Sequence, residues 1–513
     1  MRFQIRDICV MGKSELKKRT TLSLFWSFFD RFGEMLIYLI SSVVLMNILE
    51  PTDYGLIGVL LIFVVVSRLL ADSGFGRALM NRKTLSETEL SSVFYFNAGC
   101  SIVLYIALFV SAPFIASLFH EPRLVEISRL LFLSLIFHSF GIIHQTMLTK
   151  NADFRGLAKV NIPAVAVASA TAIILAINGF GVWALVTQHV AYAFLRTVFL
   201  WIYSSWRPIA RLSANALRSF FAFSNKLLLS GFIGAVFNNI YPSIIAIFFP
   251  NSMNQVGYFS QANKFQDIPF GVLSNTFRSV SMLILSEINQ EIDRLKRVVS
   301  KIVKSIAFLV FPLGLYMILA AQPAFSLLFG EKWLPAVPYF RVLTAAGMLS
   351  PFIFIFNELF IARERADFFL GVEIVKRTIL VLLIFALFRF GIMGLAASWV
   401  IYTFVTLIIS LILSRKLIKY TLVGFLKDAL PYLAIALISV LLGYVATIRI
   451  LGDFLFLLIS GVVAFGSYWL ICKMAKLEMT KEIESWLIDK KNDIQTDKKN
   501  DIQTDKKNDI QGI

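Results

Sequence analysis

Residues Trp26–Gly58 read WSFFDRFGEMLIYLISSVVLMNILEPTDYGLIG. Over 22–47 the chain is an almost continuous apolar run, longer than the roughly 20 residues that cross a bilayer core of ~30 Å. No water is available there for backbone polar groups, so such a run must be a helix. Three charges, Asp30, Arg31 and Glu34, are set inside it. Asn47–Gly58 (NILEPTDYGLIG) then puts Pro51 at the far end of this helix and Gly55 ahead of the next apolar run. Residues 1–21 are polar and basic, and the run that follows is too long for the apolar part of a cleavable signal, so it is expected to insert as an uncleaved first helix.

The same pattern repeats along the chain. Apolar runs at 22–47, 54–72, 91–119, 124–148, 157–177, 179–203, 221–249, 254–285, 302–322, 335–361, 368–390, 391–413, 429–448 and 452–472 predict an all-α integral membrane protein of about fourteen transmembrane helices. Composition agrees: 58% of the 513 residues are hydrophobic and 16% charged, against roughly 45–50% and about 25% in soluble domains. The 49 Phe suit lipid-facing helices. A formal net charge of +17 could point to nucleic acid. Its distribution argues otherwise, because the basic residues lie in short loops between the apolar runs. With the N-terminus inside, only Arg123, Lys332, Arg389 and Arg449 fall in outside loops, so both termini are expected in the cytoplasm. Cys9, Cys100 and Cys472 all avoid the outside loops, and no disulfide framework is implied.

The organisation read from these spans is a cytoplasmic segment 1–21, a first six-helix bundle 22–220, a second 221–428, a terminal helix pair 429–475 and a cytoplasmic tail 476–513. The tail repeats DKKNDIQT at Asp489–Thr496 and Asp497–Thr504, and again, truncated, from Asp505. So polar a repeat cannot bury a core and is expected to be disordered. A fainter repeat links the bundles. Ile247–Tyr258 (IFFPNSMNQVGY) has the same Pro-then-Gly order as Asn47–Gly58, as parallel repeats of six helices would.

Charges within spans cost ~2.5–3.5 kcal/mol each at a helix centre, so each is a functional candidate by default. Arg68, Arg196 and Lys226 are placed near cytoplasmic ends, where long side chains can snorkel. Pairs on one helix face are expected for Arg31 with Glu34, Arg68 with Asp72, Lys264 with Asp267, and Glu373 with Lys376 and Arg377. Arg278 has no acid three or four residues away. The seventh and eighth spans also carry Gly231, Gly234, Pro242, Pro269 and Gly271, together with amides that include Asn239 and Gln261. Breaks beside buried charge mark transport sites, although packing between helices accounts for amides equally well.

Catalytic signals are missing. There is no phosphate-cradling Gly-rich loop with its Lys, no clustered carboxylate pair in an outside loop, and no loop long enough for a soluble domain. His138 and His144 are six residues apart, on different helix faces, and read as packing residues rather than metal ligands. No catalytic residue, metal or cofactor is assigned.

Trp26–Gly58 resembles the opening of Wzx-type polysaccharide flippases. Phe223–Gly271 (FSNKLLLSGFIGAVFNNIYPSIIAIFFPNSMNQVGYFSQANKFQDIPFG) resembles the start of their second half. These flippases form the polysaccharide-transport branch of the multidrug/oligosaccharidyl-lipid/polysaccharide exporter superfamily, and the likeness covers most of residues 14–475. It implies two six-helix bundles around a central cavity plus a terminal pair, in the bacterial inner membrane. It further implies alternating-access transfer of undecaprenyl-pyrophosphate-linked oligosaccharide for O-antigen, capsule or exopolysaccharide, in contact with membrane lipids and polysaccharide polymerase machinery. On this footing Arg31, Lys226, Lys264 and Arg278, with Asn239 and Gln261, are candidates for binding pyrophosphate and glycan; Asp30, Asp267 and Glu373 are candidates for ion coupling. One departure is the pair of acids beside Arg31, Asp30 and Glu34, expected to offset its charge. The rival readings are a lipid II-type flippase, a multidrug or cation antiporter, and a membrane glycan polymerase or ligase.

Overall fold

The computed structural model describes residues 13–82, 85–249, 251–363, 366–449 and 452–485. The first residues, with Cys9, and the repeated tail lie outside this range. The principal helices are α1 (Lys13–Ile48), α2 (Pro51–Asp72), α3 (Phe75–Asn81), α4 (Glu87–Leu118), α5 (Leu124–Lys150), α6 (Phe154–Ile177), α7 (Val182–Tyr203), α8 (Ala214–Phe248), α9 (Met253–Glu287), α10 (Ile292–Phe329), α11 (Val337–Gly347), α12 (Ser350–Ala362), α13 (Ala366–Leu387), α14 (Gly391–Ile418), α15 (Leu422–Thr447) and α16 (Asp453–Met474). Short 3-10 helices occupy Glu331–Ala336 and Phe388–Phe390. Cys100 and Cys472 are free thiols.

This is a multi-pass membrane protein. Twelve segments among the described residues are long and apolar enough to cross a bilayer. Two places separate that number from fourteen. α9 forms where the eighth span is expected, but amides and charges such as Asn254, Gln261, Lys264 and Asp267 lower its hydropathy. Val375–Ile418 counts as one apolar stretch, yet the 3-10 turn at Phe388–Phe390 and the positive φ of Gly391 break it into two helices. The span expected at 335–361 is likewise interrupted between Gly347 and Ser350, with Pro351 opening α12. The short α3 was not foreseen; it fills a loop that reads as polar.

The described residues pack as two units: one runs to Gln261 and includes Leu328–Ala336, and the other holds Ala262–Leu327 and the residues from Val337 onwards. In the first, α1 lies on α6, α4 on α5, α7 on α5 and α6, and α2 on α8. Phe75, Leu79, Val93, Phe94 and Phe220 form its core at one end. In the second, Val303, Ile306 and Val310 of α10 meet Phe352, Phe356 and Phe360 of α12 in a continuous apolar core. There α15 lies on α16, where a methyl group on Gly443 would sit 2.7 Å from the Ser460 carbonyl oxygen.

The two Pro-then-Gly segments meet inside the first unit. A methyl group on Gly55 would overlap the carbonyl oxygen of Met253, and one on Gly257 would overlap that of Pro51. Only glycine permits so close a backbone approach. Beside this crossing sits the 3-10 helix Glu331–Ala336. Its Trp333 is 0% exposed, donates Nε1–H to the Met46 carbonyl at 2.8 Å, and packs edge-on to Tyr54 and Tyr258 with centroids 5.3 and 5.8 Å away. Asn47 Nδ2 donates to the Leu328 carbonyl at 2.6 Å. Lys332 reaches Glu50 at 3.6 Å.

Gly257→Val is therefore expected to lower stability by about 1–3 kcal/mol or more through overpacking. Trp333→Ala should cost about 3–5 kcal/mol. Gly99→Ala, at a position with no neighbour within 4 Å, should be neutral or slightly stabilising. Thermal unfolding of the purified protein in detergent ranks the three.

Candidate functional site

Ser27, Asp30, Arg31 and Glu34 share one face of α1 by their spacing. Phe25, Phe28, Phe29 and Phe32 occupy the opposite face and are exposed. The polar face opens on a cavity of about 450 Å³ within the first unit. Arg68 enters it from α2, His138 and Gln145 from α5, Asn161 from α6, and Tyr192 and Arg196 from α7. On α1 these positions fall within the first ten residues of its apolar stretch Phe25–Ile48, and Arg68 is near the finish of α2.

The hydrogen bonds in the cavity are directional. Tyr192 Oη donates to Glu34 Oε1. Asn161 Nδ2 donates to both carboxylate oxygens of Asp30, at 3.1 and 3.3 Å. Arg196 Nε donates to Asn161 Oδ1 at 2.8 Å. Both acids are thus engaged by neutral donors from other helices. Arg31 and Arg68 form no hydrogen bond or ion pair among the described residues, and Arg68 Nε is buried without a partner. A buried charge without a partner is costly, so the Arg68 guanidinium is suited to an anion that the protein itself does not supply, with the exposed Arg31 beside it on the cavity wall.

Several expectations change here. Arg31 does not pair with Glu34, which turns to Tyr192. Arg68 does not pair with Asp72, whose Oδ1 accepts from the Gly76 N–H at 3.2 Å. Arg68 and Arg196 are not end charges reaching for the membrane surface; both line the cavity. His138 lines it as well. His144 is a packing residue, with its ring 4.9 Å from Trp201 and 5.2 Å from Trp206. No metal-binding cluster of His, Cys, Asp or Glu occurs among the described residues.

The remaining candidates lie elsewhere. The side chain of Lys226 is outside the described residues. Asn239 Nδ2 donates to the Ala235 carbonyl one turn back, at 2.8 Å. Gln261 is buried, and its Oε1 has no partner. In the second unit Lys264 lies 5.7 Å from the Phe265 ring centre, and Asp267 is exposed. Arg278 does have an acid, on another helix: its Nε donates to Glu358 Oε1 at 2.7 Å. Glu373 stands 3.4 Å from Lys376 and 3.5 Å from Arg377, as spacing predicts. Sequence reasoning gives Asn161 and Tyr192 no role and treats Arg68 and Arg196 as end charges. Their one available signal is polarity inside apolar runs, with Tyr192 and Arg196 four apart on a shared face.

Two all-helical packed units, the first with a charged cavity among its apolar helices, define a polytopic membrane fold. The solved structure of the lipid II flippase MurJ in an inward closed conformation shares it, with a TM-score of 0.70 and 15% identity, covering 88% of this chain and 100% of that one. Residues 44–338 match the family described as "Polysaccharide biosynthesis protein", and the chain belongs to that family. The teichuronic acid biosynthesis protein TuaB of Bacillus subtilis (strain 168) is 24% identical over 67% of this chain and 71% of its own length. The lipopolysaccharide biosynthesis protein WzxC of Escherichia coli (strain K12) is 21% identical over 69% of this chain and 72% of its own length.

The Arg278–Glu358 pair separates support from binding. Glu358 is 3% exposed, so Arg278→Ala should strand a buried carboxylate and cost at least ~2 kcal/mol. Arg278→Leu with Glu358→Leu should recover most of that loss in a thermal unfolding measurement.

Proposed function

We propose that this protein is a flippase for oligosaccharide repeat units carried on a pyrophosphate-linked polyprenyl lipid, acting in the bacterial inner membrane during surface polysaccharide assembly. Family membership, relatives named for teichuronic acid and lipopolysaccharide biosynthesis, and the fold shared with a lipid II flippase support the reading. The observation that carries it is the cavity in the first unit, which Arg31 and Arg68 line and where Arg68 Nε is buried with no hydrogen-bond partner among the described residues.

With α9 and the α13–α14 break counted as crossings, the chain passes the membrane fourteen times. The basic loops then put both termini in the cytoplasm, and the cavity lies in the cytoplasmic half. The pyrophosphate enters there. Guanidinium forks suit a phosphate better than a point charge does, because two N–H groups can engage two oxygens at once. Low-dielectric walls strengthen that attraction. The glycan takes the polar surroundings, the hydrocarbon tail stays in the bilayer, and alternating access releases the headgroup outside. Asp30 is the candidate for ion coupling that touches this cavity; Asp267 and Glu373 are candidates in the second unit. The chemistry required is binding and release, with no bond made or broken.

Deleting the gene should cause a complete lipid-linked repeat unit to accumulate on the cytoplasmic leaflet, read by mass spectrometry of the carrier lipids with a sidedness assay. Arg68→Ala should reproduce that accumulation at normal protein level. A complete unit found outside but unpolymerised would move the function to a polymerase or ligase. Unchanged carrier lipids would favour a multidrug or cation antiporter.

A further inference from the structure

The cavity holds two acids among its three arginines, and helix geometry favours their neutralising one another. Arg31 and Glu34 are three residues apart on α1, a spacing that brings opposite charges together. That contact is absent. Glu34 is held by the Tyr192 hydroxyl and Asp30 by the Asn161 amide.

We infer that Tyr192 and Asn161 are positioning residues, which hold the cavity's carboxylates on neutral hydrogen bonds and thereby keep Arg31 and Arg68 free to take a phosphate. The inference rests on the reading of the cavity as the phosphate site. Three features support it. First, both donors come from helices other than α1, so the acids are drawn away from their own helix neighbours. Second, the Asn161 amide is fixed in one orientation. A guanidinium can only donate and a carboxylate only accept, so Arg196 Nε at Oδ1 and Asp30 at Nδ2 together admit a single placement. Third, neutral donors solvate a carboxylate without using up a cation. An arginine in the place of Tyr192 or Asn161 would do the same at the expense of the site's charge balance. The acids are thus satisfied in place without drawing on Arg31 or Arg68.

The test is a mutant cycle on the full chain in detergent, with farnesyl pyrophosphate as the titrated probe. Tyr192→Phe keeps the ring and removes only the hydroxyl. Glu34 then loses its donor and turns to Arg31, and probe affinity should fall about fivefold, the size of a partly exposed ion pair. In a Glu34→Gln background, where no carboxylate competes, the same Tyr192→Phe change should leave affinity unaltered. Asn161→Ala is the second probe, and its effect should vanish in an Asp30→Asn background. Arg68→Ala must weaken binding throughout. Equal loss from Tyr192→Phe in both backgrounds, or no loss in either, overturns the inference while Arg68→Ala still reports the site. Failure of the unmodified protein to bind the probe, or full binding by Arg68→Ala, overturns the phosphate reading and the inference with it.

Discussion

The rest of the first unit depends on two helix starts that touch backbone to backbone at Gly55 and Gly257. A side chain at either position would meet a carbonyl oxygen of the other segment. Gly55 lies one turn into α2, which Pro51 opens, and Gly257 lies one turn into α9, which Met253 opens. The two helix starts fit because neither glycine carries a Cβ. Gly58 continues the contact: a methyl group there would lie 2.8 Å from Ser260 Oγ. With this distance fixed, Tyr54 and Tyr258 face a common space, and that space is the size of an indole.

Charge is managed differently in the two units. In the second, cations and acids are matched: Arg278 with Glu358, Lys376 and Arg377 with Glu373, and Lys304 with Glu478 and Asp428. Those residues give that unit a defined polar framework among apolar helices. In the cavity of the first the matching is withheld, although Arg82 with Glu89 and Lys332 with Glu50 are paired elsewhere in that unit. Neutral side chains answer the acids and two guanidiniums are left over. A low-dielectric setting penalises such an arrangement unless a ligand completes it, and for that reason the cavity of the first unit, rather than the better-paired cluster of the second, is the functional candidate.

The sequence makes some of this visible and hides the rest for definite reasons. Apolar runs and basic loops reveal the helices, since bilayer thickness dictates their length. The Pro-then-Gly repeat is legible at Pro51–Gly55 and Pro250–Gly257, but not the fact that its two copies touch. Asp30, Arg31 and Glu34 stand out as charges within a span. Arg68 and Arg196 do not, because position along a helix can be read from the chain whereas the direction a residue faces among five packed helices cannot. Arg278 illustrates the same limit: its acid lies on α12, eighty positions away, beyond the reach of any spacing rule. α9 evades a hydropathy count because its amides and charges are spread along its whole length.

The segment Leu328–Ala336 belongs by packing to the first unit, although the helices on either side of it belong to the second. A ribosome delivers α1 through α9 long before it reaches Trp333. Until α10 has been made and threaded, the Met46 carbonyl lacks its indole donor and the two tyrosines flank an empty slot. The first unit therefore lacks one of its own packing components until the chain has been made as far as Trp333. Its last structural component arrives more than sixty residues after Gln261, which couples maturation of the early helices to synthesis of the late ones.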